Sequence, residues 1–122
     1  MKKKLEQVNS DLLLINTPDW GIVNGSASRL QEFIMYYNTH DLEESVKSLF
    51  IDLICSSMDD YLMEKEISVE IHNLFSEFLN SIEKSDYNLI VIKYWLTLDE
   101  DNTEEDPFPV SDIMRRILDK TL

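Results

Sequence analysis

The stretch that decides the fold is Asp41–Met63, DLEESVKSLFIDLICSSMDDYLM. Within it Leu42, Val46, Leu49, Leu53, Ile54, Met58, Tyr61 and Leu62 recur at three- and four-residue spacing, the period of one helix face. Phe50 and Ile51 widen that stripe, as expected of a central helix packed on two sides. Asp41 followed by Glu44 has the spacing of an N-terminal capping box. The remaining positions, Asp52, Ser56, Asp59 and Asp60, read as the polar side of the same helix.

Working outward, Ser68 opens the clearest pattern in the chain: Ile71, Leu74, Phe75, Phe78, Leu79 and Ile82. Ser85-Asp86 starts a further segment over Tyr87–Leu98. Its run Leu89–Ile92 has β-branched strand character, but Tyr87, Val91, Tyr94, Trp95 and Leu98 share a helical face and no partner strand is evident, so helix is the reading. Ser111 is the expected cap of a last helix with Ile113, Met114, Ile117 and Leu118 inward. On the N-terminal side, Ser28 with Gln31 predicts a helix burying Leu30, Phe33, Ile34 and Tyr37. Asn16–Ala27 reads as loop, tacked to the core by Trp20 and Ile22-Val23. Residues 3–15 suggest a first helix with Leu5, Val8, Leu12 and Ile15 on one side, with a short strand at Leu12–Ile15 as the alternative. The expectation is an all-α domain spanning 1–122, a five- or six-helix bundle. Residues 42–63, 69–83 and 87–98 have lengths that suit stacked helical hairpins.

Composition bounds the function. With 122 residues, 43% of them hydrophobic, the chain can bury a core as one domain. Two Gly and three Pro are few for an all-β protein. The net charge is −13, and its distribution is uneven: 18 acids against four bases over Asp41–Asp106 leave −14 there and about +1 elsewhere. Such a field repels nucleic acid and anionic membrane and attracts basic surfaces. Met1-Lys2-Lys3-Lys4 resembles the start of a signal peptide, but Leu5 to Asp11 breaks any apolar region and Leu12 to Ile15 is too short to be one, so a cytoplasmic protein is expected.

No catalytic constellation stands out. Cys55, the single cysteine, lies in an apolar context that favours a buried thiol. His40 and His72 lack partners at metal-ligand spacing. In the segment Asp99-Glu100-Asp101-Asn102-Thr103-Glu104-Glu105-Asp106, Asp99, Asp101 and Thr103 match positions 1, 3 and 5 of a calcium-binding EF-hand loop, but Glu104 stands where Gly is needed and Val110 where Glu is needed. No cofactor is implied, and no enzyme is expected.

What remains is the arrangement of acids. Asp99, Glu100, Asp101, Glu104, Glu105 and Asp106 are held between Trp95 and Phe108, and Asp59, Asp60, Glu64 and Glu66 form a second patch. Together they are the candidate partner-binding surface, with Trp20, Tyr94 and Phe108 as aromatic anchors. In size, charge and helical character, as in Asp41–Met63 and Asp99–Asp106, the chain resembles bacterial toxin-immunity proteins of contact-dependent inhibition and other polymorphic toxin systems. That resemblance implies neutralisation of a cognate basic toxin domain, often a nuclease, without direct contact to nucleic acid or membrane. A regulatory or adaptor protein that takes a partner helix in an apolar groove is the alternative. Neither reading fixes an oligomeric state.

Overall fold

A computed structural model describes residues 2–97 and 109–119. Seven α-helices occur among them: α1 (Leu5–Leu12), α2 (Trp20–Asn24), α3 (Leu30–Thr39), α4 (Glu44–Glu64), α5 (Val69–Ser81), α6 (Asp86–Thr97) and α7 (Pro109–Asp119), with a 3-10 turn at Ala27–Arg29 before α3. The all-α expectation holds. The count of five or six is one short or two short, because α2 lies inside the segment read as loop.

α4 is the axis of the molecule, and α2, the 3-10 turn, α3, α6 and α7 all pack on it. Its buried side chains include Val46, Phe50, Ile51, Leu53, Ile54, Cys55 and Met58, so the broad apolar stripe does mark a helix covered on two sides. Phe50 is the centre of a ring cluster. It stacks on Tyr36 of α3 at 5.6 Å and meets Trp20 of α2 at 5.8 Å and Tyr37 at 6.2 Å. Tyr37 then passes the contact to α5, edge-on to Phe78 at 5.0 Å. One aromatic chain thus joins four helices. α5 approaches α3 and α7 most closely and not its chain neighbours α4 and α6, so neither α4 with α5 nor α5 with α6 forms a stacked hairpin.

The helix starts follow local hydrogen bonding. Ser68 caps α5 by accepting from the Ile71 N–H at 3.2 Å, and Ser85 accepts from the Asn88 N–H at the start of α6. Three expected caps are absent. Lys3 pairs with the segment before α4 in a single parallel bridge: its N–H donates to the Asp41 carbonyl, and its carbonyl accepts from the Glu43 N–H. That keeps residues 41–43 out of the helix, and α4 begins at Glu44 without the Asp41 cap. Ser28 is inside the 3-10 turn. Ser111 lies in the first turn of α7, which opens with Pro109, a residue whose fixed φ and missing N–H suit that position.

The N-terminal third departs most from expectation. α1 stops at Leu12 because Leu13 takes a left-handed conformation (φ 56°), which leaves Leu13 and Ile15 exposed. Ile22 and Val23 are also exposed; the tie to the core is Trp20, assisted by Asn24, whose side chain bonds the backbone of Ile15 and Trp20. On α6 the buried side chains are Asn88 and Trp95, while Tyr87, Leu89, Ile90 and Tyr94 are exposed, so the helix is rotated from the expected face.

Gly21 and Gly25, the only glycines, let α2 and the residue after it lie directly on α4. A Cβ on Gly21 would fall 2.5 Å from Asp52 Oδ2 and 2.8 Å from the Leu53 backbone nitrogen. A Cβ on Gly25 would fall 2.5 Å from Ser56 Oγ. Helix propensity alone favours Gly21→Ala by about 1 kcal/mol. The clash with main chain reverses that sign, and a net loss of about 1–3 kcal/mol is expected in denaturant unfolding. Equal or greater stability of the Ala variant would show that α2 does not sit this close.

Candidate functional site

The acids assigned to a binding surface divide into three groups. Asp99, Glu100, Asp101, Glu104, Glu105 and Asp106 lie outside the described residues, as does Phe108. Glu64 and Glu66 are exposed at and just beyond the C-terminal end of α4, and Asp60 is partly covered. Asp59 is buried, at 7% exposure. It accepts a hydrogen bond from the Val110 N–H at 3.3 Å, so it supports α7 from inside and does not face a partner. Trp20 leaves the set of aromatic anchors for the same reason: it is buried on Phe50, with its indole N–H donated to Asn9 Oδ1. Tyr94 is about half exposed and remains available.

The polar stripe of α4 is therefore not a solvated face. Asp52 Oδ1 accepts the Trp95 indole N–H at 2.7 Å, and Ser56 is buried against Gly25. Next to it, Ser57 accepts from the Ser26 N–H at 3.0 Å while donating to the Leu53 carbonyl. A polar group under this much cover needs a partner, and every buried side-chain nitrogen and oxygen among the described residues has one. Desolvation holds the Asp52 carboxyl above its ordinary range, opposed by the Trp95 bond and reinforced by Asp19. Asp60 is raised as well, first by burial and then by Glu64. Burial also pushes the Cys55 thiol well up, and its Sγ lies 3.9 Å from Met114 Sδ, the setting of a packing residue and not of a nucleophile.

The helices on either side of the acidic segment are bonded to each other and to the same stripe. Ser111 donates to the Trp95 carbonyl, Arg115 donates to the Leu96 carbonyl at 2.9 Å, and the Val110 N–H reaches Asp59. The last residues of α6 and the first of α7 are thus clamped together against α4. Beside that clamp, Glu66, Asp112 and Pro109 border one shallow groove with Lys65 and Arg116. Its charge is mixed: Arg116 pairs with Asp112 at 3.0 Å, and the Lys65 ammonium lies 5.9 Å from the Tyr61 ring. Among the described residues no group of three His, Cys, Asp or Glu side chains is placed to hold a metal ion, and no helix is long and apolar enough to cross a membrane.

The clamp residues Trp95, Ser111 and Arg115 were not legible as such. A signal for the covered stripe did exist, because Gly21 and Gly25 repeat the four-residue spacing of Asp52 and Ser56. No family model matches the chain, and no curated protein or solved structure matches it either. Its residues and their geometry carry the functional reading alone.

Two outcomes separate support from surface. Asp59→Ala removes the acceptor of Val110 and costs about 1–3 kcal/mol of stability, whereas Glu64→Lys and Glu66→Lys change it by no more than about 0.5 kcal/mol in the same unfolding experiment. For Asp52 the sign follows from its raised pKa. The folded chain binds that proton more tightly than the unfolded chain, so this contribution is greatest in acid and falls as pH rises through the folded value. Asp52→Asn keeps an oxygen for the Trp95 indole. Its stability relative to the parent chain rises between about pH 4 and neutrality; a difference that does not vary with pH would contradict this.

Proposed function

We propose that the protein is a non-catalytic inhibitor of a basic protein, of the toxin-immunity kind, with a toxin nuclease domain as its cognate partner. The observation that carries the reading is the concentration of charge: −14 over Asp41–Asp106, with six carboxylates between Asp99 and Asp106 on a segment whose flanking helices are clamped to α4. Anchored flanks lower the ordering cost that a free acidic tail would meet on binding. The carboxylates take the places of phosphates in a positively charged cleft and exclude the RNA or DNA substrate. Glu64 and Glu66 extend the contact at the end of α4, and Tyr94 is the aromatic contact on the described surface. Opposite charge speeds encounter and makes the rate salt-dependent, while the apolar contact sets dissociation.

The test is recovery of a partner on the immobilised chain at low salt. The chain is expected to retain a basic protein that elutes with salt and whose nuclease activity it suppresses. The variant carrying Asp99→Lys, Asp101→Lys, Glu104→Lys and Glu105→Lys should keep its helical circular dichroism and lose that protein. Equal recovery by the parent and the fourfold reversal would remove the acidic segment from the interface.

A further inference from the structure

Among the described residues, one groove has a charged lining that is cationic. α5, α6 and α7 enclose a groove of about 560 Å³ walled by Leu79, Ile82, Leu89, Ile92, Leu96 and Leu118. The charged residues lining it, among those described, are Lys84 and Arg115, both cationic, and no acid joins them. Lys93 stands one turn from Leu89 and one from Leu96 on the same helix, exposed to solvent. Only four bases occur between Asp41 and Asp106, and two of them, Lys84 and Lys93, are here. Neither makes an ion pair with another described residue.

We infer that this groove is a docking site for an amphipathic helix of a partner protein whose apolar ridge is edged with carboxylates. Leu89, Ile92 and Leu96 form an i, i+3, i+7 stripe, which runs about 10 Å along α6 and matches the repeat of a helix ridge laid beside it. Leu79, Ile82 and Leu118 supply the facing walls. The cations are spread along that length. Lys84 precedes α6, Lys93 is at its middle, and Arg115 is at its end, where it donates to the Leu96 carbonyl. A single anionic head on a hydrocarbon tail needs its cations in one spot, whereas a helix with acids along its edge meets Lys84 and Lys93 in turn. Leu89, 45% exposed on a helix otherwise anchored by Trp95, presents apolar area that such a ridge would cover. Its test is distinct from that of the inhibitor reading, since neither the peptides nor the variants at Lys84, Lys93 and Leu89 touch Asp99–Asp106.

The full chain can be titrated, by fluorescence anisotropy, with two synthetic helical peptides that share a leucine ridge. One is edged with Glu and the other with Lys; laurate serves as the small amphiphile. The Glu-edged peptide is expected to bind despite the net charge of −13. Lys84→Glu with Lys93→Glu should weaken it about tenfold. Leu89→Asp should abolish it, with circular dichroism unchanged in both variants. Three results would overturn the inference: neither peptide binds, the Lys-edged peptide binds as well or better, or laurate binds where the Glu-edged peptide does not. Self-association of the chain that Leu89→Asp abolishes would also overturn it, assigning the groove to a second copy.

Discussion

The architecture depends on a polar stripe that cannot reach water. Asp52, Ser56, Ser57 and Asp59 occupy consecutive turns of α4, and each is covered or partly covered by another element. Burying a carboxylate or hydroxyl is costly unless its hydrogen bonds are replaced. Each of the covering elements brings a donor or makes room. α6 brings the Trp95 indole, and the start of α7 brings the Val110 N–H. The turn before α3 brings the Ser26 N–H. α2 contributes the absence of a side chain at Gly21 and Gly25. Apolar burial around Phe50 supplies the driving force, and the stripe sets which element lies where.

That division of labour explains what the charge can and cannot do. In this fold the acids with the deepest cover serve the interior, so Asp59 is committed to α7 and Asp52 to α6. At the end of α4, Glu64 and Glu66 remain exposed, and six further carboxylates occur in the sequence between α6 and α7. Ser111 and Arg115 tie α7 to the end of α6, and the Asp59 bond to the Val110 N–H ties the start of α7 to α4, so the helices on either side of the six carboxylates are joined to the interior. The N-terminus is held by a different device. The Lys3 ammonium bonds Asp11 and lies over the Tyr36 ring, which itself stacks on His40 at 3.9 Å. Lys3 and Tyr36 keep the Asp11 carboxyl below its ordinary range, and this contribution is lost in acid.

The helices of the C-terminal half were legible wherever apolar spacing and a capping serine agreed, as at Ser68 with Ile71, Phe75, Phe78 and Leu79, and the class of fold followed from them. The caps at Asp41, Ser28 and Ser111 failed for reasons that local pattern does not carry. A strand-like bridge from Lys3 claimed residues 41–43, a 3-10 turn absorbed Ser28, and Ser111 was drawn to a carbonyl sixteen residues earlier in the chain. α2 was missed because five residues are too few for periodicity to register. The face of α6 was misjudged because a helix this apolar has no unique inward side in sequence; the Trp95 bond to Asp52 chooses it. Of the candidate site, the exposure of Glu64 and Glu66 fits a surface role, while the burial of Asp59 came from long-range packing.

The most direct test of this account is the hydrogen-exchange rate of the Val110 amide. It lies in the first turn of α7, where backbone N–H groups have no acceptor within the helix and ordinarily exchange fast. If Asp59 holds it beneath α4, exchange will require opening of the core, and its protection will match that of the most protected amides of α4. Exchange of Val110 at the rate of an unprotected helix terminus would show that the polar stripe of α4 does not hold the clamp, and the account would fail at its base.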